Sequence, residues 1–147
     1  MMNDSRRYAQ SIAIKGLSDT HRQVIDWVPE GAKVLELGCS TGYIGRLLIE
    51  HKGCSVTAAE FDPKAAAEAR TAGLNVYQGS LEDSDFRASI SGQFDVVIAS
   101  DVLEHLAQPD VVLAHFSKWL APTGRAIIAV PNVACWQIRR RLFFHGQ

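Results

Sequence analysis

At 147 residues, with 47% hydrophobic and 21% charged side chains, the chain is long enough for one domain with a real core and too short for two. Its formal net charge of −1 excludes the strong field that would recruit nucleic acid or an anionic membrane, and the short basic run Arg139-Arg140-Arg141 reads as a solvated helix face. Cys39, Cys54 and Cys135 lack metal-ligand spacing, the polar N-terminus lacks a signal core, and no apolar run approaches membrane-spanning length, which together point to reduced thiols in a cytoplasmic protein with no membrane insertion.

Residues 1–30 read as a helical N-terminal extension. Ser18-Asp19-Thr20-His21 offers a cap, and Val24, Ile25 and Val28 give an apolar stripe stopped by Pro29. Lys33 to Leu37 is a first strand, followed by a glycine-containing loop and a helix from Gly42 to His51. Gly53 breaks that helix, and Ser55 to Ala59 is a second strand. Asp62-Pro63 starts an alanine-rich helix, Lys64 to Ala72, with proline where a first helical turn tolerates it. Leu74 to Tyr77 alternates as a short third strand. Ser80 to Ser91 is a polar loop with room for one helical turn. Phe94 to Ala99 is almost continuously apolar, as a strand covered on both faces must be. Val102 to Leu106 and Val111 to Leu120 read as helix with Pro109 between them. Pro122-Thr123-Gly124 is a turn, Arg125 to Val130 a fifth strand, and Pro131-Asn132 opens a final helix to Phe144. Strands alternating with helices predict an α/β, doubly wound, mainly parallel sheet of Rossmann-like type.

The strand–loop–helix at Glu36-Leu37-Gly38-Cys39-Ser40-Thr41-Gly42-Tyr43 is the opening of a nucleotide-binding βαβ unit, where glycines let the backbone turn tightly and approach a ligand closely. Serine at position 40 is comfortable there only if its backbone avoids positive φ. Glu60 ends the second strand at the offset where such units place an acid on ribose hydroxyls. Asp62 reads as a helix cap. Ligands of open α/β sheets bind outside the carboxyl ends of strands where strand order reverses, which directs Ser100 and Asp101 toward the reactive end of a ligand. Asp101, Glu104 and His105 fall at helical spacing and could hold a divalent metal, but the set is partial and reads as helix polarity with a structural histidine. His21, His51, His115 and His145 have no triad-like partner in sequence and read as surface or core residues.

These stretches resemble the class I S-adenosylmethionine-dependent methyltransferases of the type 11/12 group, and are similar to MetW-like proteins and to methyltransferase domains of polysaccharide clusters. The likeness lies in Leu35 to Tyr43, Phe94 to Val97, Asp101 to Leu106 and Ala129 to Trp136. It implies S-adenosylmethionine as cofactor, held by Glu36, Gly38, Cys39, Ser40, Gly42, Tyr43, Glu60, Phe61, Ser80, Leu81 and Ser100. Glu36 suits a cationic ligand and Phe61 an adenine face. Ser80 stands where the family usually has aspartate. Asp101 or His105 is the candidate general base for a hydroxyl acceptor, and no metal is implied. The full family fold has seven strands, so the end at Gln147 predicts a fold truncated after strand five, or an apolar edge covered by a homodimer or protein partner.

The resemblance implies methyl transfer to a small-molecule or glycan acceptor. Two other readings stay open. A nicotinamide-dependent oxidoreductase is compatible with Glu60, but Ser40 breaks its glycine pattern and Glu36 is awkward beside a pyrophosphate. A non-catalytic partner protein in methionine biosynthesis, with a vestigial cofactor site, is the other.

Overall fold

The computed structural model describes residues 17–132. The predicted final helix, the basic run and the apolar C-terminal cluster lie outside the described residues.

Ser18 caps the first helix, its hydroxyl accepting the His21 backbone N–H at 3.1 Å. This helix, α1 (Asp19–Trp27), buries Val24 and Ile25. Strand β1 (Lys33–Leu37) follows as the sequence predicts. Gly42 at φ 80° opens α2 (Tyr43–Lys52) and Gly53 at φ 62° closes it, both in the left-handed region that glycine enters without strain. Lys52 ties α2 back to the end of α1 by donating to the carbonyls of Asp26, at 3.1 Å, and Val28, at 2.5 Å. Strand β2 (Ser55–Glu60) leads to α3 (Pro63–Thr71), where the Asp62 carboxylate accepts from Ala65 N–H at 2.8 Å and Pro63 occupies the first turn. Strand β3 (Asn75–Gln78) and the short α4 (Ser84–Ser89), capped by Asp83, come next. Strand β4 (Phe94–Ser100) follows, then α5 (Pro109–Trp119) and β5 (Leu120–Ala129).

Two sequence expectations need correction. Val102 to Leu106 is not a helix; only Leu103–His105 forms a single 3₁₀ turn, which ends before Leu106. Pro109 does not separate two helices but is the first residue of α5, where its missing N–H would have had no intrahelical partner. The predicted Pro122-Thr123-Gly124 turn is an irregularity inside β5. Phe94 pairs with Leu120 and Val96 with Arg125, so β5 carries three more residues than β4 between the two pairs. The glycine is needed there, because a Cβ on Gly124 would lie 2.8 Å from the Phe94 carbonyl oxygen.

The five strands form one parallel sheet in the order β3-β2-β1-β4-β5. Successive residues of β1 enter opposite cores. Val34 packs with Val24, Ile25, Leu47, Leu48, Ala66 and Ala69 beneath α1, α2 and α3. Leu35 and Leu37 pack with Phe94, Val97, Phe116 and Trp119 on the α5 side. Burial on both faces accounts for the unbroken apolar runs of β1 and β4. No helix among the described residues is long and apolar enough to cross a membrane. Strand order reverses between β1 and β4, and the carboxyl ends of these strands frame the site.

Candidate active site

The loop after β1 turns on Gly38 at φ 65°, and a Cβ there would lie 2.6 Å from Val102 Cγ2. Close approach of the β1 and β4 loops therefore requires glycine at this position. Ser40 adopts φ 50°, so the condition for comfortable serine is not met. A non-glycine residue there carries strain of roughly 1 kcal/mol or more. Glu60 supplies a compensating contact. Its Oε2 accepts the Ser40 N–H at 2.8 Å and its Oε1 accepts the Asp62 N–H at 2.8 Å. One carboxylate at the end of β2 thus fixes the glycine loop and the entry to α3 together, and each oxygen keeps a lone pair for a ligand.

Glu60 lines a cavity of about 320 Å³ at the carboxyl ends of the strands, within the roughly 300–1,000 Å³ of small-molecule sites. Gly38, Phe61, Ser80, Leu81 and His105 line it too, so the structure brings these predicted residues together. Ala59, Gly79, Glu82, Val102 and Leu106, which the motifs do not single out as site residues, complete the wall. Gly79 is the most legible of these in retrospect: it directly follows β3, and a Cβ there would lie 2.3 Å from the Phe86 ring. Phe61 stands 71% exposed at the rim, an apolar ring open to a planar partner. The loop carrying Leu81 is held from below by Arg87, which is buried and donates to the Leu81 carbonyl at 2.6 Å. Glu82 Oε1 accepts Ala107 N–H at 2.7 Å, joining the loops after β3 and β4 across the cavity. A carboxylate that can accept from hydroxyl donors thus stands in one cavity with an apolar wall of Leu81, Val102 and Leu106.

Other predicted residues lie elsewhere. Glu36 is buried beneath α2, not on the cavity wall. Burial raises its pKa from 4.5 to about 8, partly offset by a backbone hydrogen bond from Gly45 and reinforced by the charge of Glu60. Burial thus favours the protonated acid, and its Oε2 has no hydrogen-bond partner among the described residues. Cys39 is also buried, and burial, reinforced by the Glu36 and Glu60 carboxylates, pushes its thiol up to about 12, away from the reactive thiolate. Gly42 packs against α3, where a Cβ would lie 3.0 Å from the Ala69 backbone. Tyr43 faces a separate surface groove with Arg46 and Glu68. No group of three metal-ligating side chains comes together among the described residues.

Ser100 and Asp101 end β4 beside the cavity-lining Val102. Asp101 sits at φ 54°, held by its N–H donating to the Ala129 carbonyl at 3.0 Å. The Ser100 hydroxyl donates to Asp101 Oδ2 at 3.3 Å, and His21 Nε2 lies 3.4 Å from the same oxygen. His21 is therefore not partnerless. The contact escaped the sequence reading because α1 and β4 meet only in the folded chain.

Residues 18–147 match the family described as "Methionine biosynthesis protein MetW". A ubiquinone biosynthesis O-methyltransferase of Caulobacter sp. (strain K31) is 34% identical over 107 residues, covering 70% of this chain and 42% of that one. The protein of the same description from Pseudomonas aeruginosa (strain LESB58) is 28% identical over 127 residues, covering 80% of this chain and 54% of that one. The chain thus spans about half the length of these curated relatives. A TehB-like S-adenosylmethionine-dependent methyltransferase from Corynebacterium glutamicum superposes with a TM-score of 0.64 at 29% identity, covering 84% of this chain and 71% of that one. CalS10, an amino pentose methyltransferase from Micromonospora echinaspora, superposes with a TM-score of 0.65 at 23% identity, covering 87% and 55%, a likeness of fold. On the match over residues 18–147 and the shared parallel sheet, the chain belongs to the MetW family and carries the class I S-adenosylmethionine-dependent methyltransferase fold.

Proposed function

We propose that the chain binds S-adenosylmethionine in the cavity between Glu60 and Val102 and transfers its methyl group to a small-molecule or glycan acceptor. The observation that carries this reading is Glu60, which braces the glycine loop and lines the cavity with the same carboxylate. When bound, the cofactor supplies an activated methyl on a sulfonium, already a good leaving group, so the protein chiefly contributes proximity and alignment. Glu60 would accept the ribose hydroxyls. Phe61, Leu81 and Leu106 would enclose the base and exclude water. Gly38 admits a ligand close to the backbone. Ser80 offers a hydroxyl near the base edge, and Ser100 a second one toward the amino-acid end. The relatives described as ubiquinone biosynthesis O-methyltransferases favour a hydroxyl as the methyl acceptor.

A second reading has the family description in its favour: a methionine-biosynthesis partner that holds the cofactor without turnover. Calorimetric titration with S-adenosylhomocysteine and with NAD, followed by a methyl-transfer assay, tests both. Binding of S-adenosylhomocysteine and not NAD is the expected result. Binding of NAD alone contradicts the cofactor assignment. Binding without transfer to any acceptor favours the partner reading.

A further inference from the structure

Asp101 is one of two non-glycine residues with positive φ among the described residues, at 54°. Such strain persists only where surrounding structure over-determines it, and it clusters at functional sites. Here it is fixed from three directions. The backbone is held by Ala129 of β5 at 3.0 Å. Oδ2 accepts the Ser100 hydroxyl at 3.3 Å. The same oxygen lies 3.4 Å from Nε2 of His21, carried by α1. Helix α1 is itself secured by the Lys52 ammonium on the Asp26 and Val28 carbonyls and by the burial of Val24 and Ile25. The His21 ring is therefore held at Asp101, just past the carboxyl end of β4 and one residue before the cavity-lining Val102.

This arrangement has the parts of a base and its orienter. With Nε2–H directed at Asp101, Nδ1 of His21 becomes the acceptor nitrogen. The two side chains are 33% and 44% exposed, so a proton taken up there can leave to solvent. His105 also lines the cavity, yet its ring makes no ion pair with a carboxylate among the described residues. The separation of 3.4 Å is long for a hydrogen bond, as catalytic contacts often are before substrate binds.

We propose that His21 is the general base that deprotonates a hydroxyl-bearing methyl acceptor, with Asp101 as the residue that positions its imidazole. The proposal rests on the methyl-transfer reading and narrows its acceptor class to alcohols and phenols. In the step, the acceptor O–H bond breaks and its proton passes to His21 Nδ1. The acceptor oxygen forms a bond to the methyl carbon. The bond from that carbon to the sulfonium sulfur breaks with its electron pair going to sulfur, and the proton then leaves His21 for solvent.

The test uses catechol as the hydroxyl probe, with radiolabelled methyl transfer measured on the wild type, His21→Asn, His21→Gln and Asp101→Asn. Calorimetric binding of S-adenosylhomocysteine reports on fold and cofactor site. Imidazole nitrogen shifts in NMR report the His21 tautomer, and with it whether Asp101 holds the Nε2–H. The expected result is a loss of transfer of about 100-fold or more in both His21 variants with cofactor affinity within about twofold, and loss of the Nε2–H tautomer preference in Asp101→Asn. Transfer within about threefold of wild type in the His21 variants, or a tautomer indifferent to Asp101→Asn, overturns the proposal. Wild type that binds S-adenosylhomocysteine but transfers nothing to catechol overturns the hydroxyl class while the cofactor reading stands. Failure of the wild type to bind S-adenosylhomocysteine overturns that reading and this one with it.

Discussion

Glu60 joins three parts of the site in one carboxylate: the Ser40 amide, the Asp62 amide and the cavity wall. Glu60→Ala removes an ionised acceptor from the ligand and releases both amides. A charged hydrogen bond contributes about 1.5–3 kcal/mol, so calorimetry should find S-adenosylhomocysteine affinity lower by roughly 10-fold to 100-fold, and Glu60→Gln should lose less. Unchanged affinity in Glu60→Ala would place the ligand elsewhere. Ser40 gives a prediction of opposite sign. Its φ of 50° suits glycine, and Ser40→Gly should raise stability by up to about 1 kcal/mol, read as a higher urea midpoint at unchanged slope. Glu36 sets a pH dependence. Its pKa is raised from 4.5 to about 8 in the folded chain. The folded chain keeps a proton that the unfolded chain loses across that window. The stability associated with the neutral acid is therefore complete below the lower value and declines as pH rises, by about 1.4 kcal/mol per unit, until the folded group ionises. Glu36→Gln should flatten this decline, measured as urea midpoints between about pH 5 and about pH 8. At this scale the place of Glu60 on the cavity wall is legible from its offset, whereas the burial of Glu36 is not. Its motif position suggested a charge facing the ligand, and only the packing of α2 over β1 reveals a neutral acid in the core.

The secondary-structure elements were the most legible part of the chain. Lys33–Leu37 is found where the apolar run predicts it, and α3 begins where Asp62-Pro63 predicts. Both signals are local: an apolar run bounded by a turn, and a cap followed by proline. The segment after β4 was misread for an equally local reason. Val102 to Leu106 has apolar spacing suited to a helix, but Asp101 at positive φ and Val102 packed over Gly38 leave space for only one 3₁₀ turn. Tertiary contact overrides spacing there. The α4 element offers a test of packing between elements. Its Phe86 ring occupies the space above Gly79, where a Cβ would come within 2.3 Å. Gly79→Ala should destabilise the chain by about 1–3 kcal/mol and weaken S-adenosylhomocysteine binding, since Gly79 and Leu81 share one cavity wall. Thermal melts with and without ligand measure both effects. A variant with unaltered melting temperature would mean that α4 shifts freely.

At the scale of the whole molecule, a parallel sheet with helices on both faces gathers the ends of β1, β2, β3 and β4 around one cavity, and α1 brings His21 to Asp101 just beyond the end of β4. The parallel sheet follows from alternation of strands and helices, which the sequence displays. Contact between α1 and the end of β4 follows from how the first helix packs across the layer, which no spacing records. The same distinction separates the proposed cofactor site, built from local motifs, from the His21–Asp101 pair, which only the fold brings together. Both place their chemistry at the carboxyl ends of the strands. A crystal structure of the chain with S-adenosylhomocysteine bound is the decisive measurement. Ribose hydroxyls are expected within hydrogen-bond distance of the Glu60 carboxylate, with the base against Leu81, Val102 and Leu106. Ligand density in the groove beside Tyr43 and Arg46, with the Glu60 cavity empty, would contradict that placement.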